Sequence, residues 1–110
     1  MLDPRRKLNR RLARWLCRSA CVLAIAFAGA ANADAGRDVA ATCAACHGTD
    51  GRSRSAIPSL AGRAKSEIVR AMREFRDGRR SSTIMQQIAN GYTEAEIEAA
   101  AAYFAAQRSP

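Results

Sequence analysis

Two cysteines and a histidine in the first half of the chain have the residue types and the spacing for covalent and metal chemistry. They lie in the run Cys43-Ala44-Ala45-Cys46-His47. Residues three and four positions apart share one face of a helix, so Cys46 and His47 project from the same side as Cys43. The motif can therefore present two thiols and one imidazole together to a single ligand.

The spacing C-x-x-C-H is typical of c-type haem attachment, with thioethers from the two thiols and the imidazole on the iron. A thioredoxin-like dithiol shares the cysteines but requires a preceding strand in a βαβ unit, which this sequence does not indicate. A structural zinc site requires four ligands, and His47 is the only histidine. A disulfide between Cys43 and Cys46 would close too short a loop to stabilise a fold. The motif therefore predicts one covalently bound haem c.

The second axial ligand of such an iron cannot be another histidine of this chain. The candidates are Lys65, Met72, Met85 and an open position. Met72 lies on an apolar helix face, which favours a role in the core. Met85 follows the polar stretch 78–84, where a loop can fold back over the far face of the ring, so we predict it as the ligand. A neutral thioether favours ferrous iron, and an iron bound on both sides leaves no place for substrate, which indicates an electron carrier.

The surrounding sequence predicts helices, because no alternating run of β-branched residues indicates a strand. Helices are expected at 36–46, from about 66 to just before Gly78, and as a short turn at 85–89. The last helix should begin with a capping box. Its two members are Thr93 and Glu96, and the inner face of the helix carries Ile97, Ala101 and Phe104.

A loop rich in Gly, Ser and Pro, 48–65, separates the first two helices and is too long to be only a connection. It carries four basic side chains that could dock a partner, bind haem propionates or simply be solvated. These are Arg52, Arg54, Arg63 and Lys65.

Residues 1–33 have the pattern of a secretory signal peptide. They combine seven basic residues with one acidic residue, an apolar run from Ala20 to Ala28, and the small-residue site Ala31-Asn32-Ala33. The run is shorter than the roughly 20 residues that span a bilayer, which makes an uncleaved anchor the less favoured interpretation. Cleavage after Ala33, or alternatively Ala35, would leave residues 34–110 in the periplasm with no stable membrane insertion.

The charge of the chain is concentrated in this segment. The whole sequence has 18 basic and 10 acidic residues, of which 11 and 9 lie in 34–110. A net charge of +2 there argues against a nucleic-acid partner. The remaining ~77 residues hold few aromatic side chains and form a chain too short for a comfortable core. A large apolar disc such as haem would supply the missing core.

Three segments together resemble a class I c-type cytochrome over nearly all of residues 34–110. They are Cys43-x-x-Cys46-His47-Gly48, then Ile57-Pro58-Ser59-Leu60-Ala61-Gly62, then Met85 with a Tyr-bearing last helix. The resemblance implies a small all-α, single-haem fold of three to five helices wrapped round the haem. It also implies that the Pro58 carbonyl accepts the Nδ1–H of His47 and that Leu60 packs on the haem. The first and last helices are expected to cross around Gly36 and Tyr103-Phe104.

A closer likeness is to the cytochrome subunit of flavocytochrome c sulfide dehydrogenase, carried by the stretches 75–80 and 84–93. In that family a haem subunit takes electrons from an FAD-bearing subunit that oxidises sulfide. This chain has one haem motif, where some members have two, and no flavin fingerprint, so any FAD is expected in a separate chain.

The sequence as a whole predicts a periplasmic electron carrier, not itself an enzyme, that accepts electrons from a flavoprotein partner. A free soluble shuttle cytochrome for a respiratory or oxidase chain is the first alternative. A five-coordinate haem sensor or peroxidase-like enzyme is the second.

Overall fold

The computed structural model describes residues 32–110, and this part of the chain is helical with no strand. Helix α1 covers 32–47, followed by a 3₁₀ turn at Thr49–Gly51. The other helices are α2 (Lys65–Arg76), α3 (Met85–Asn90) and α4 (Glu94–Ala105). The predicted all-α fold is therefore confirmed. The predicted signal peptide lies almost wholly outside the described residues and stays a prediction.

The helix boundaries differ from the sequence-based prediction mainly at the first helix. We expected α1 to begin at Gly36, but the chain is already helical at residue 32. The residues before Gly36 are Ala-Asp-Ala, which contain no helix breaker. The other helices begin and end within one or two residues of the prediction, a difference that helix assignment itself allows. Within residues 32–110, no helix has the length and apolar character needed to cross a bilayer.

Helix α4 begins with the predicted capping box. The Thr93 hydroxyl accepts from the Glu96 backbone N–H at 3.3 Å, and the Glu96 carboxylate accepts from the Thr93 backbone N–H at 2.7 Å. The hydrogen bonds from Thr93 lower the pKa of Glu96, because they favour its charged form. Two backbone donors of the first turn are thereby satisfied.

The core lies between α1, α2 and α4, and its side chains are mostly small. The predicted inner face of α4 is buried, and Phe104 is the one large side chain of the described residues that is fully enclosed. Five of the nine buried apolar residues are alanines. The central cluster consists of Ala40, Ile68, Val69, Ile97, Ala101 and Phe104.

Gly36 of α1 lies against α4 at Ala99, one turn before the residues of α4 expected at the crossing. A Cβ atom on Gly36 would lie 2.5 Å from the Ala99 carbonyl oxygen, so the two backbones are in close contact there. Phe104 contributes to the same core as Ala40, but its ring also lies against Gly51 of the loop. The expected partners Tyr103 and Phe104 lie one turn further along α4, and both pack on the cluster that contains Ala40 of α1.

Candidate haem-binding site

The C-x-x-C-H motif lies in the last turns of α1, and a glycine fixes where that helix ends. The Gly48 N–H donates to the Ala44 carbonyl at 3.0 Å. Gly48 has φ 84° and ψ 161°, a conformation that is nearly restricted to glycine. A Cβ atom there would lie 2.1 Å from the Arg52 carbonyl oxygen. The chain can therefore turn away immediately after His47 only because residue 48 has no side chain.

The two thiols of the motif are free and differ in their surroundings. Cys43 is half-buried against the core, and its thiol donates to the Val39 carbonyl at 3.6 Å. Burial raises the pKa of the Cys43 thiol. Cys46 is exposed. One thiol thus lies at the edge of the core and the other faces outward, with no disulfide between them.

The three side chains of the motif do not converge on one point. In residues 32–110 no three His, Cys, Asp or Glu side chains are grouped closely enough to hold a metal ion.

The ring of His47 is oriented by the chain that follows it. Its Nδ1 lies 2.6 Å from the Pro58 carbonyl oxygen, the contact that the resemblance implied. A carbonyl can only accept, so Nδ1 carries the proton and the Nε2 lone pair is left for a metal. A hydrogen bond of this kind fixes the tautomer and makes the imidazole a better donor to iron.

Pro58 reaches His47 because the loop that carries it is tied to the rest of the fold on both sides. The Gly51 carbonyl accepts from the backbone N–H groups of Leu60 and Ala61 at 2.8 and 3.1 Å. The Gly62 N–H donates to the Phe104 carbonyl at 2.9 Å. The loop therefore turns back on itself next to His47 and is anchored on α4.

A second tie between α4 and the loop was not foreseen from the sequence. The Tyr103 hydroxyl donates to the Asp50 carboxylate at 2.6 Å, and the Arg52 guanidinium lies 3.4 Å from the same carboxylate. Asp50 has φ 53°, in the left-handed region. The hydrogen bond to Asp50 raises the pKa of Tyr103, because it stabilises the protonated phenol. The one signal in the sequence was an acidic residue, Asp50, three positions after the histidine of the motif. Its position alone does not predict that Tyr103 is its partner.

The two methionines predicted for different roles have different surroundings. Met72 packs against the core cluster, in line with the core role predicted for it. Met85 is the half-buried first residue of α3. Leu60 is also half-buried beside the core. Haem contacts of Met85 and Leu60 stay predictions, as do the covalent roles of Cys43 and Cys46.

Three of the four basic residues of the loop pair with acidic residues of the loop, of α2 and of α4. Arg63 pairs with Glu67, and Lys65 pairs with Glu98 of α4. Arg52 pairs with Asp50, so Arg54 is the one of the four that has no acidic partner within residues 32–110. An open pocket lies next to it, lined by Gly48, Thr49, Arg52 and Arg54.

Three isoleucines remain more exposed than such side chains usually are. Ile57, Ile84 and Ile88 are 38, 58 and 39% exposed. Ile57 immediately precedes Pro58, and Ile84 immediately precedes Met85. Exposed apolar side chains next in sequence to Pro58 and Met85, together with an alanine-rich core, fit a fold that a large apolar cofactor completes. The residues present are therefore compatible with haem c.

Comparison with known proteins agrees with this geometry. Residues 30–104 match the family model described as cytochrome c oxidase, cbb3-type, subunit III. The chain is 37% identical over 82 residues to cytochrome c-554(548) of Halomonas halodenitrificans, covering 71% of this chain and 99% of that protein. The chain belongs to the c-type cytochromes. This cytochrome therefore uses haem c and transfers electrons.

Two further relatives bear names that describe redox partners. The cytochrome is 46% identical over 69 residues to the cytochrome subunit of sulfide dehydrogenase of Chlorobaculum tepidum, covering 63% of each chain. It is 38% identical over 73 residues to a thiosulfate dehydrogenase electron acceptor of Stutzerimonas stutzeri, covering 64% of this chain and 34% of that one. The chain thus spans less than two thirds of the length of either relative. The likeness to a sulfide dehydrogenase subunit agrees with the resemblance found in the sequence.

Proposed function

We propose that this cytochrome is a periplasmic electron carrier with one haem c, attached through Cys43 and Cys46 and bound axially by His47 and Met85. When bound, the haem supplies the Fe(III)/Fe(II) couple and no other chemistry. The observation that carries the proposal is the 2.6 Å contact between His47 Nδ1 and the Pro58 carbonyl, which leaves Nε2 free for a metal. In this proposal Leu60 covers part of the ring, and the chain by itself carries electrons without catalysing a reaction.

The assignment of Met85 as the sixth ligand rests on the contrast between the two methionines. Met72 is already used in the core, whereas Met85 heads a short helix beside an exposed isoleucine. Ferric haem bound by a thioether has a weak absorption band in the near red. We expect Met85→Leu to abolish this band and Met72→Leu to retain it. Loss of the band in Met72→Leu alone would overturn the assignment, and its absence in the wild type would favour a five-coordinate haem.

For the electron donor, we propose an FAD-containing subunit of the sulfide dehydrogenase type. The support is the identity to a cytochrome subunit of sulfide dehydrogenase. If the proposal is right, the cytochrome should co-purify from periplasm with a stoichiometric flavoprotein, and sulfide should reduce its haem only when that protein is present. Isolation as a lone monomer that the purified flavoprotein fails to reduce would contradict it.

A free shuttle is the second candidate, and a different comparison favours it. The match to cytochrome c-554(548) covers 99% of that small cytochrome, and another relative is named as the electron acceptor of a thiosulfate dehydrogenase. A shuttle would be isolated without a flavoprotein and would be reduced by a dehydrogenase in a salt-dependent, second-order reaction. The mass of the isolated periplasmic protein would also test cleavage after Ala33 or Ala35.

A further inference from the structure

Helix α3, which begins with Met85, is too short to be stable by itself. It has six residues, whereas isolated helices shorter than about 12 residues are marginal in water. Its one buried residue is Ala89, which is fully enclosed. Ile84 and Ile88 are exposed, so apolar burial within the described residues does little to fix the helix. Something else must hold it in place.

One side chain of α2 binds the end of this helix and the chain that follows. Arg76 donates from Nε and Nη2 to the Ala89 carbonyl, both at 3.3 Å, and from Nη2 to the Tyr92 carbonyl at 2.8 Å. Its Nη1 donates to the Glu94 carboxylate at 3.3 Å. A single guanidinium therefore joins α2 to the last turn of α3, to the following turn and to the start of α4.

The neighbouring arginines of α2 do not do this. Arg73 pairs with the carboxylates of Glu94 and Glu98 on α4 and makes no hydrogen bond to α3. Arg70 pairs with Glu74 on its own helix, and its side chain is 70% exposed compared with 29% for Arg76. The Ala89 carbonyl at the end of α3 thus accepts from Arg76, whereas the Ile88 carbonyl accepts from the Gly91 N–H at 3.0 Å. A positive charge at this end of α3 is also favoured by the helix dipole.

We propose that Arg76 is a positioning residue that holds α3 so that Met85 stays on the iron. This inference rests on the proposed role of Met85. When α3 detaches, the sixth coordination position opens to an added ligand. The apparent affinity for that ligand is its intrinsic affinity multiplied by the fraction of molecules in the open state. Weakening the attachment of α3 should therefore raise the affinity without changing the iron's other ligands.

The test is a titration of ferric holoprotein with imidazole, followed by the shift of the main haem absorption band, which every variant has whether or not Met85 is bound. Lysine keeps the charge of Arg76 but lacks the fork that reaches two carbonyls at once. For Arg76→Lys we expect the apparent association constant to rise about tenfold, which corresponds to about 1.4 kcal/mol. Arg70→Lys is the matched control on the same helix, and it should stay within about twofold of the wild type. Met85→Leu gives the affinity of a permanently open position.

Glu94→Gln separates positioning from general stability. It removes the acidic partner of Arg76 and one of the two acidic partners of Arg73, but leaves the Arg76 bonds to Ala89 and Tyr92 in place. Its midpoint of thermal unfolding should fall while its imidazole affinity stays near that of the wild type. An equal rise in affinity in Glu94→Gln and Arg76→Lys, or no rise in Arg76→Lys, would overturn the inference. If Arg76→Lys yields no holoprotein, Arg76→Gln is titrated with the same expectation.

Failure of the proposed function would give a different result. If wild type and Met85→Leu bound imidazole equally, Met85 would not be the ligand, whatever the Arg76 variants did. If Met85→Leu bound imidazole far more tightly than wild type and Arg76→Lys did not differ from wild type, the result would support Met85 as the ligand. The proposed role of Arg76 would then be wrong.

Discussion

At the scale of single residues, the site depends on a few side chains that are each oriented by one hydrogen bond. His47 is the clearest, since the Pro58 carbonyl determines which of its nitrogens is available. Tyr103 is the second, because its hydroxyl ties α4 to Asp50, three residues after that histidine. The ring of His47 is thus oriented by a backbone carbonyl of a loop that α4 holds in place.

Replacement of Tyr103 by Phe tests this tie. The variant loses a partly exposed hydrogen bond to a charged acceptor. The free energy of unfolding should therefore fall by about 1–2 kcal/mol, near the low end for bonds to charged groups because solvent weakens the pair. The pKa of Tyr103 is raised in the folded protein. The stabilisation that this hydrogen bond adds to the folded protein is therefore fully present below the ordinary tyrosine pKa of about 10. It is lost as the pH rises through the raised pKa that Tyr103 has in the folded protein.

Urea unfolding of the ferric holoprotein at neutral and alkaline pH measures both effects. The difference in the free energy of unfolding between wild type and Tyr103→Phe should be largest at neutral pH and should become smaller at alkaline pH. Tyr92→Phe is the control, since it removes the other tyrosine hydroxyl, which bonds Thr42 instead. A difference for Tyr103→Phe that does not change with pH would show that the Asp50 bond is not its source.

At the scale of elements, the position of the C-x-x-C-H motif depends on how α1 crosses α4. Gly36 lies against the Ala99 backbone, with no space for a methyl group. The first contact of an added Cβ would be a carbonyl oxygen, which cannot move aside as the end of a flexible side chain would. A change at this crossing should therefore displace the whole of α1, including the cysteines.

Gly36→Ala should accordingly destabilise the holoprotein, by about 1–3 kcal/mol as other overpacked contacts do, even though alanine is the better helix former. Thermal unfolding monitored by circular dichroism measures the loss. Ala41→Gly, at an exposed position of the same helix, should cost about 1 kcal/mol through propensity alone. A stabilised Gly36→Ala protein would mean that the two helices are not in contact there.

At the scale of the whole molecule, the small core makes the cofactor part of the fold. Alanines form more than half of the buried apolar residues, and Phe104 is the one large side chain fully enclosed in residues 32–110. Chains of this size usually need a cofactor, metal or disulfide for stability. Haem should therefore contribute to folding as well as to electron transfer.

The double variant Cys43→Ser/Cys46→Ser, expressed in a host that attaches haem c, tests this dependence. We expect the purified product to lose its cooperative thermal transition and much of its helical circular dichroism signal. Ser53→Ala/Ser55→Ala, in the loop 48–65, is the control for the substitution of two small polar residues. It should retain both the haem and the cooperative transition. A colourless product that still unfolds cooperatively would contradict the dependence.

Comparison of the predictions with the structure shows which features depend on local sequence. The capping box of Thr93 and Glu96 and the apolar face of α4 follow from residues three or four positions apart, and both are confirmed. The start of α1 was wrong by at least four residues, because small residues before Gly36 permit helix without signalling where it begins. The pairing of Lys65 with Glu98 was missed, since that acid comes from another helix.

The sequence by itself determined most of the helix boundaries, the C-x-x-C-H motif and the family, since each depends on residue types at short fixed spacings. Tertiary structure alone decided that Asp50 bonds Tyr103, that Arg76 holds the end of α3, and that Ala99 faces Gly36. These pairs are separated by 13 to 63 positions in the chain. No periodicity links residues at such distances, because their contact depends on how the helices pack and on the path of the loops between them.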